Sequence, residues 1–315
     1  MFRKLFSSFK KESVQPQVMD LSFGYHRYTE FVSFLQQNKY QQLEDAYEGL
    51  TWDAKTLLNE GIGLNELLAA DITRWVQQCP DSYIANLFAG VSKTRLAWIA
   101  RTAAQANNVS EEAANKFFVL LEEAAAFLHT ADEINPEDPE IAARIIRVYM
   151  GLGVEEETVT SYFDSAVSFQ PDHLMAHLMM INYLAPKWRG SIEAMHAFAD
   201  NRIQETGSQL LVTLKLFAIT EEWLYYSMNG EDSRHSSFFS DAAIQEKIKT
   251  LYSNYREETE GALLIPYVYN YFAFLFWKIG DKEKAREIIG KIPGKMTVYP
   301  WSYIGVHSND VLQKL

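Results

Sequence analysis

Three histidines have the residue type and the spacing of a zinc site. His173 and His177 lie four residues apart on one face of a predicted helix, and His196 follows on the next helix. Imidazole nitrogens bind Zn²⁺ at this spacing. However, Leu174 stands where a zinc protease helix carries its glutamate, and His177 falls within an apolar helical stripe. We therefore expect these histidines to pack in the core or cap helices, with no bound metal or other cofactor.

Nucleophilic chemistry has two candidates, Ser191 and Cys79. Ser191 precedes a histidine by five residues, but it lacks the glycine-flanked strand-to-helix turn that exposes a hydrolase serine. Cys79 is the single cysteine and comes before Pro80 at a predicted helix end, which favours a small buried side chain. The sequence also carries no phosphate-binding glycine loop. We therefore expect a protein that is not an enzyme.

Lys187, Trp188 and Arg189 occupy the corner between two predicted helices. Tryptophan and arginine are typical anchors of protein interfaces, and Lys187 adds a second positive charge. The other interpretation is structural: Trp188 fills the gap left by a long turn, and Arg189 pairs with a nearby carboxylate. We take these three residues as the candidate partner-binding site.

The first twelve residues form a short basic amphipathic pattern. Apolar side chains recur at helical spacing, and four basic side chains lie elsewhere on the wheel. Such a helix can lie weakly on an anionic membrane, or else dock on its own domain or fray. The candidate membrane-surface residues are Phe2, Arg3, Lys4, Leu5, Phe6, Phe9, Lys10 and Lys11. We expect residues 1–17 to be this segment with its linker, and 18–315 to be a single helical-repeat domain.

The charge balance and the cysteine content limit which classes of protein are possible. Acidic residues number 41 and basic residues 29, a net charge of −12, which argues against nucleic-acid binding. The single cysteine excludes an internal disulfide, and no secretory signal pattern is visible at the start. The longest apolar run, Ala262–Trp277, falls short of the ~20 residues of a membrane helix. We expect a cytoplasmic protein, with or without membrane association.

Helical hairpins recur at a regular period. Pro136 and Pro171 close successive predicted helices and lie 35 residues apart, close to the ~34-residue tetratricopeptide period. A glycine turn at Gly153 divides the interval into two apolar-striped helices. The last hairpin, at about 263–291, repeats the same spacing, and the polar segment 229–240 is predicted to be a loop. The pattern indicates stacked antiparallel helix pairs.

With these residues placed, the chain resembles an uncharacterised bacterial family of tetratricopeptide-like helical proteins. The family carries a Pro-Lys-Trp-x-Gly-Ser-x-x-x-Met-x-x-Phe-Ala signature, present here as Pro186, Lys187, Trp188, Gly190, Ser191, Met195, Phe198 and Ala199. The stretch 97–101, Ala-Trp-Ile-Ala-Arg, resembles an upstream Ala-Trp-x-x-Arg element, although Thr102 follows where the family has glycine. The resemblance covers roughly 25–290. It implies a fold and brings no activity, substrate or cofactor.

Together these features predict an all-α protein built as a tetratricopeptide-like α-solenoid, an array of antiparallel hairpins with a concave face. We expect a non-enzymatic interaction or scaffold module that binds a protein or peptide partner through that groove. Two alternatives come from other features. The acidic surface suits an immunity-type protein that neutralises a basic partner, and the basic N-terminal helix suits a peripheral membrane protein.

Overall fold

The computed structural model describes residues 21–101, 110–257, 263–306 and 310–315, and every regular element in them is a helix. The α-helices are α1 (Tyr28–Gln36), α2 (Tyr40–Glu48), α3 (Trp52–Leu64), α4 (Ala69–Gln78), α5 (Tyr83–Arg101), α6 (Glu111–Ile134), α7 (Pro139–Leu152), α8 (Glu156–Phe169), α9 (Leu174–Tyr183), α10 (Ile192–Thr206), α11 (Val212–Met228), α12 (Asp232–Ser237), α13 (Ala242–Asn254), α14 (Ile265–Lys278), α15 (Lys282–Gly290) and α16 (Val311–Lys314). The prediction of an all-α protein is confirmed.

Polar side chains set where many of these helices begin. A side chain just before the helix accepts a hydrogen bond from the first turn and satisfies a backbone N–H that has no helical partner. This role falls to Thr51, Ser110, Asp138, His173, Ser191, Asp241 and Asp281. At the end of α7, Gly153 takes the left-handed conformation with φ of 72°. The glycine turn at Gly153 agrees with the sequence prediction.

The helices from α5 onward pack in two layers. Helices α5, α7, α9, α11 and α14 contact one another in that order and form the inner layer. Helices α6, α8, α10 and α15 pack on the outside, each against its neighbours in sequence. A main core of buried apolar residues runs from Phe23 to Leu315. The inner layer therefore presents one side of α5, α7 and α9 to the interior of the molecule.

Helix α3 is tied to the inner layer by buried polar groups. Lys55 Nζ lies 2.9 Å from Asp138 Oδ2, and both side chains are almost fully buried. Thr56 donates a hydrogen bond to Glu140, and Asn59 Nδ2 donates a second one at 2.9 Å. Because α3 and α7 are far apart in sequence, these bonds fix the position of α7 against the N-terminal helices.

The segment 229–240 is not the loop that its polarity predicted. It contains α12 and a short 3₁₀ helix at Phe238–Ser240. Phe238 and Phe239 are buried, against Tyr226 and Trp223 respectively. Burying each aromatic ring contributes about 1.5–3 kcal/mol, which orders a segment whose other residues are polar.

The chain after α15 folds back over α14. Trp301 is fully buried, and its indole N–H donates to Asn270 Oδ1 at 2.8 Å. Tyr303 continues towards α11, where its hydroxyl donates to Glu221. This tail therefore contributes to the interior of the molecule. In the ranges that the structure describes, no helix is both long and apolar enough to cross a bilayer.

Candidate functional site

A cavity of about 270 Å³ lies between the inner helices, α3 and the C-terminal tail. Its wall is aromatic, sulfur-rich and cationic. The lining residues are Glu60, Gly63, Leu64, Val91, Thr94, Arg95, Trp98, Arg144, Arg147, Met150, Met175, Leu178, Met179, Asn182, Lys187, Trp188, Phe217, Tyr267, Tyr271, Val298, Tyr299 and Tyr303. An apolar cavity with a few convergent polar groups is the usual form of a ligand site.

Two tryptophans from distant parts of the chain meet in this wall. Trp98 comes from α5, and Trp188 comes from the turn between α9 and α10. Their ring centroids lie 5.6 Å apart with the planes at 87°, an edge-to-face contact. The Arg101 guanidinium stands 5.7 Å from the Trp98 ring and 6.0 Å from the Trp188 ring. The two short elements on which the family resemblance depends are thus in contact.

The turn that carries Trp188 is fixed by its backbone. Trp188 N donates to Ala185 O at 2.9 Å, and Ser191 accepts from Ala194 N as the N-cap of α10. A Cβ on Gly190 would stand 1.8 Å from the Leu184 carbonyl oxygen, so the close approach requires glycine. The half-buried Trp188 ring is therefore held in place by the tight turn at Gly190 and by the cap of α10.

The other two corner residues point in different directions. Lys187 Nζ pairs with the buried Glu221 carboxylate at 2.7 Å and lines the cavity. Arg189 lies outside the cavity wall, where it pairs with Glu155 at 3.3 Å and donates to the carbonyl of Gly153. Arg189 thus links the turn after α9 to the turn after α7.

The cations of the wall differ in how far they are neutralised. Arg144 is buried between Glu60 and Glu140. Arg95 stands 3.7 Å from the exposed Glu66. Arg147 pairs with no carboxylate among the described residues; its guanidinium lies 5.2 Å from the Trp98 ring and 3.9 Å from the sulfur of Met179.

Four buried polar atoms on residues that line the cavity have no hydrogen-bond partner among the described residues. They are Arg95 Nε, Trp98 Nε1, Asn182 Oδ1 and Trp188 Nε1. A buried donor or acceptor without a partner costs about 1–3 kcal/mol, so native proteins pair nearly all of them. All four atoms are enclosed by the protein itself, so none of them faces the cavity.

Beneath the cavity, a polar network fixes Arg144. Glu140 is fully buried, and it accepts hydrogen bonds from Arg144 Nε at 3.2 Å and Nη2 at 2.7 Å. His173 Nε2 lies 3.1 Å from the other carboxylate oxygen. Burial alone would raise the pKa of Glu140, but the Arg144 guanidinium and His173 hold that pKa well below its usual range. The carboxylate therefore stays ionised and holds Arg144 in the wall.

The histidines that suggested zinc have structural roles. His173 caps α9 through Nδ1. Burial lowers the pKa of His177 to about 3, so the ring is neutral and accepts from Arg202 Nε at 3.1 Å. His196 lies 2.9 Å from Glu222. Within the described ranges, no group of three or more metal-ligating side chains comes together.

Sequence reasoning identified only part of this site. It singled out Lys187 and Trp188, but it missed Arg95, Arg147 and Asn182, which look like ordinary polar positions on amphipathic helices. The one available signal was the Ala-Trp-x-x-Arg element that contains Trp98. The candidate membrane-surface residues at 1–12 lie outside the described residues.

By its fold and its cavity, this is an all-helical protein with a small aromatic and cationic cavity inside. A family model described as Domain of unknown function (DUF4034) matches residues 17–159. This stretch runs into α8, so it contains Arg95, Trp98 and Arg147 but ends before Trp188. Comparison with curated proteins finds no match, and neither does comparison with solved structures.

Proposed function

We propose that this protein is a non-enzymatic interaction module of tetratricopeptide-like architecture. Its inner cavity holds a segment of a partner protein. The observation that supports the proposal is the largely apolar cavity whose wall brings Trp98 and Trp188 together.

The size of the cavity limits what enters it. A volume of about 270 Å³ lies just below the ~300–1,000 Å³ range of ligand pockets. It suits one bulky residue of a partner and not a folded surface. Trp188 supplies the aromatic anchor contact from the corner, and Lys187 supports it through Glu221. In this proposal Arg189 positions the turn. The single cysteine is consistent with a cytoplasmic location.

The test is peptide selection on the full chain. A displayed random-peptide library is panned on the immobilised protein, and selected peptides are measured by fluorescence anisotropy. We expect micromolar binding that weakens at least ten-fold in Trp188→Leu. The matched control is Trp277→Leu, which changes a half-buried tryptophan of α14 away from the cavity wall.

Two results would count against the proposal. One is a selection that yields no specific peptide. The other is binding that persists in Trp188→Leu but falls steeply with salt, which would favour the acidic surface and a basic partner. The circular dichroism spectra of both variants must match the native protein, so that lost binding is not lost folding.

A further inference from the structure

The C-terminal tail supplies one side of the cavity wall. Val298, Tyr299 and Tyr303 of this tail line the cavity together with the inner helices and α3. The Tyr299 and Tyr303 rings contact each other, with their centroids 5.0 Å apart. Tyr299 is 46% exposed, whereas Tyr303 is half-buried. The pair of rings therefore has solvent on one side and the cavity on the other.

The Tyr303 hydroxyl fastens this pair to the inner layer. It donates to Glu221 Oε1 of α11 at 2.6 Å, a length typical of a hydroxyl bonded to a carboxylate. The other oxygen of Glu221 accepts from Lys187 Nζ at 2.7 Å. If Tyr303 turns away, the carboxylate keeps its ammonium partner. The bond can therefore open without the large cost of an unpaired buried charge.

Trp301 keeps the tail attached when that bond opens. Its ring is fully buried and packs on Phe274, with the ring centroids 5.6 Å apart, and its N–H donates to Asn270 at 2.8 Å. The backbone around it forms hydrogen bonds within the tail itself, and the donors are the N–H groups of Ser302, Tyr303, Gly305 and Val306. Turning the Tyr303 side chain outwards therefore breaks no backbone hydrogen bond between these residues and the helices.

Helix α3 also lines the cavity, but it is held more firmly. Lys55 of α3 pairs with the buried Asp138, and Glu60 pairs with the buried Arg144 of α7. Moving α3 would separate buried opposite charges, which costs more than moving one neutral hydroxyl. Of these two walls, the tail is therefore the one that opens at the lower cost.

We propose that Tyr299 and Tyr303 form a gate over the cavity, with the Tyr303–Glu221 hydrogen bond as its latch and Trp301 as its fixed point. With the latch formed, the two rings exclude a partner residue. With the latch broken, they turn towards solvent and admit it. This inference rests on the proposed function, because the gate regulates entry to the cavity that holds the partner segment.

The first experiment measures entry by stopped-flow fluorescence on the full chain, with a labelled peptide from the selection. Tyr303→Phe keeps the ring and removes the latch, and the Lys187–Glu221 pair remains, so the variant is expected to fold. Because a gated site binds in proportion to its open fraction, we expect the association rate constant to rise at least about five-fold. The matched control is Tyr299→Phe, which removes a hydroxyl that donates to no described residue and should bind like the native protein.

An unchanged association rate in Tyr303→Phe would overturn the gate and leave the proposed function standing, because the peptide still binds. Faster association in both variants would also overturn the latch, since only one of the two hydroxyls contacts Glu221.

The second experiment tests the gate without a peptide, by amide hydrogen exchange and mass spectrometry. Residues 298–306 should exchange at least about five-fold faster in Tyr303→Phe than in the native protein, with the exchange of α14 unchanged. Equal exchange of the tail in the two proteins would overturn the gate. A selection that yields no peptide counts against the proposed function alone, and the exchange of the tail then decides on the gate.

Discussion

Replacing Glu140 by glutamine tests whether the buried network fixes α7 against α3. The substitution keeps the shape of the side chain and removes the negative charge. Arg144 would keep Glu60 but lose its fully buried partner. Removing one member of a buried ion pair costs about 3–5 kcal/mol, and the remaining carboxylate places this case near the lower end. We expect a loss of about 3 kcal/mol, or a thermal midpoint lowered by about 5 °C for a chain of this length.

The pH dependence separates charge from packing in the same variant. The pKa of Glu140 is lower in the folded protein than in the unfolded chain. Its contribution to the free energy of unfolding is therefore complete above about pH 5 and falls as the pH drops further. The difference in unfolding free energy between the native protein and Glu140→Gln should therefore be largest at pH 7 and shrink towards pH 3. Urea unfolding followed by circular dichroism measures both, with the exposed Glu246→Gln as control. A difference below about 0.5 kcal/mol at pH 7, or one that does not change with pH, would refute the reasoning.

Three further predictions concern the turn, a carboxyl group and the N-terminus. Gly190→Ala should cost at least ~2 kcal/mol in urea unfolding, because the new Cβ meets a backbone carbonyl; Gly290→Ala, in open space, should be neutral or slightly stabilising. Burial raises the pKa of Asp53 to about 6, so the folded state loses stability as the pH rises from about 4 to 6. Asp53→Asn should add about 1 kcal/mol at pH 7.5, discounted for partial exposure, and nothing below pH 4; a constant gain would contradict this. The full chain should co-sediment with anionic vesicles more than a chain that lacks residues 1–12, and equal sedimentation would remove the membrane hypothesis.

Local features of the fold could be predicted because local residues determine them. The prolines before α7 and α9 and the glycine after α7 act within about one helical turn, so sequence spacing was sufficient to predict where these helices end. The segment 229–240 was predicted wrongly because its polar residues outnumber Phe238 and Phe239. Those two rings are buried against Tyr226 and Trp223 of α11, which lies earlier in the chain.

The candidate site could be predicted only in part, because its groups meet through tertiary packing. Trp98 and Trp188 are 90 residues apart, and no periodic pattern links them. Arg147 looks like a solvated position on an amphipathic helix, and only the structure reveals that no described carboxylate pairs with it. The burial of Lys55 and Glu140 could not be predicted for the same reason. A charged residue in a helical pattern does not indicate whether its partner is water or another side chain.

The arrangement of charges also explains why the signature alone does not define a binding site. Both basic residues of the corner are engaged, since Lys187, which belongs to the signature, pairs with Glu221, and Arg189, at its variable position, pairs with Glu155. Tyr303 donates to the same Glu221 at 2.6 Å, so the tail and the turn share one buried carboxylate. The cavity wall therefore consists of Lys187 and Trp188 together with groups on α5, α7 and α9 that the signature does not contain.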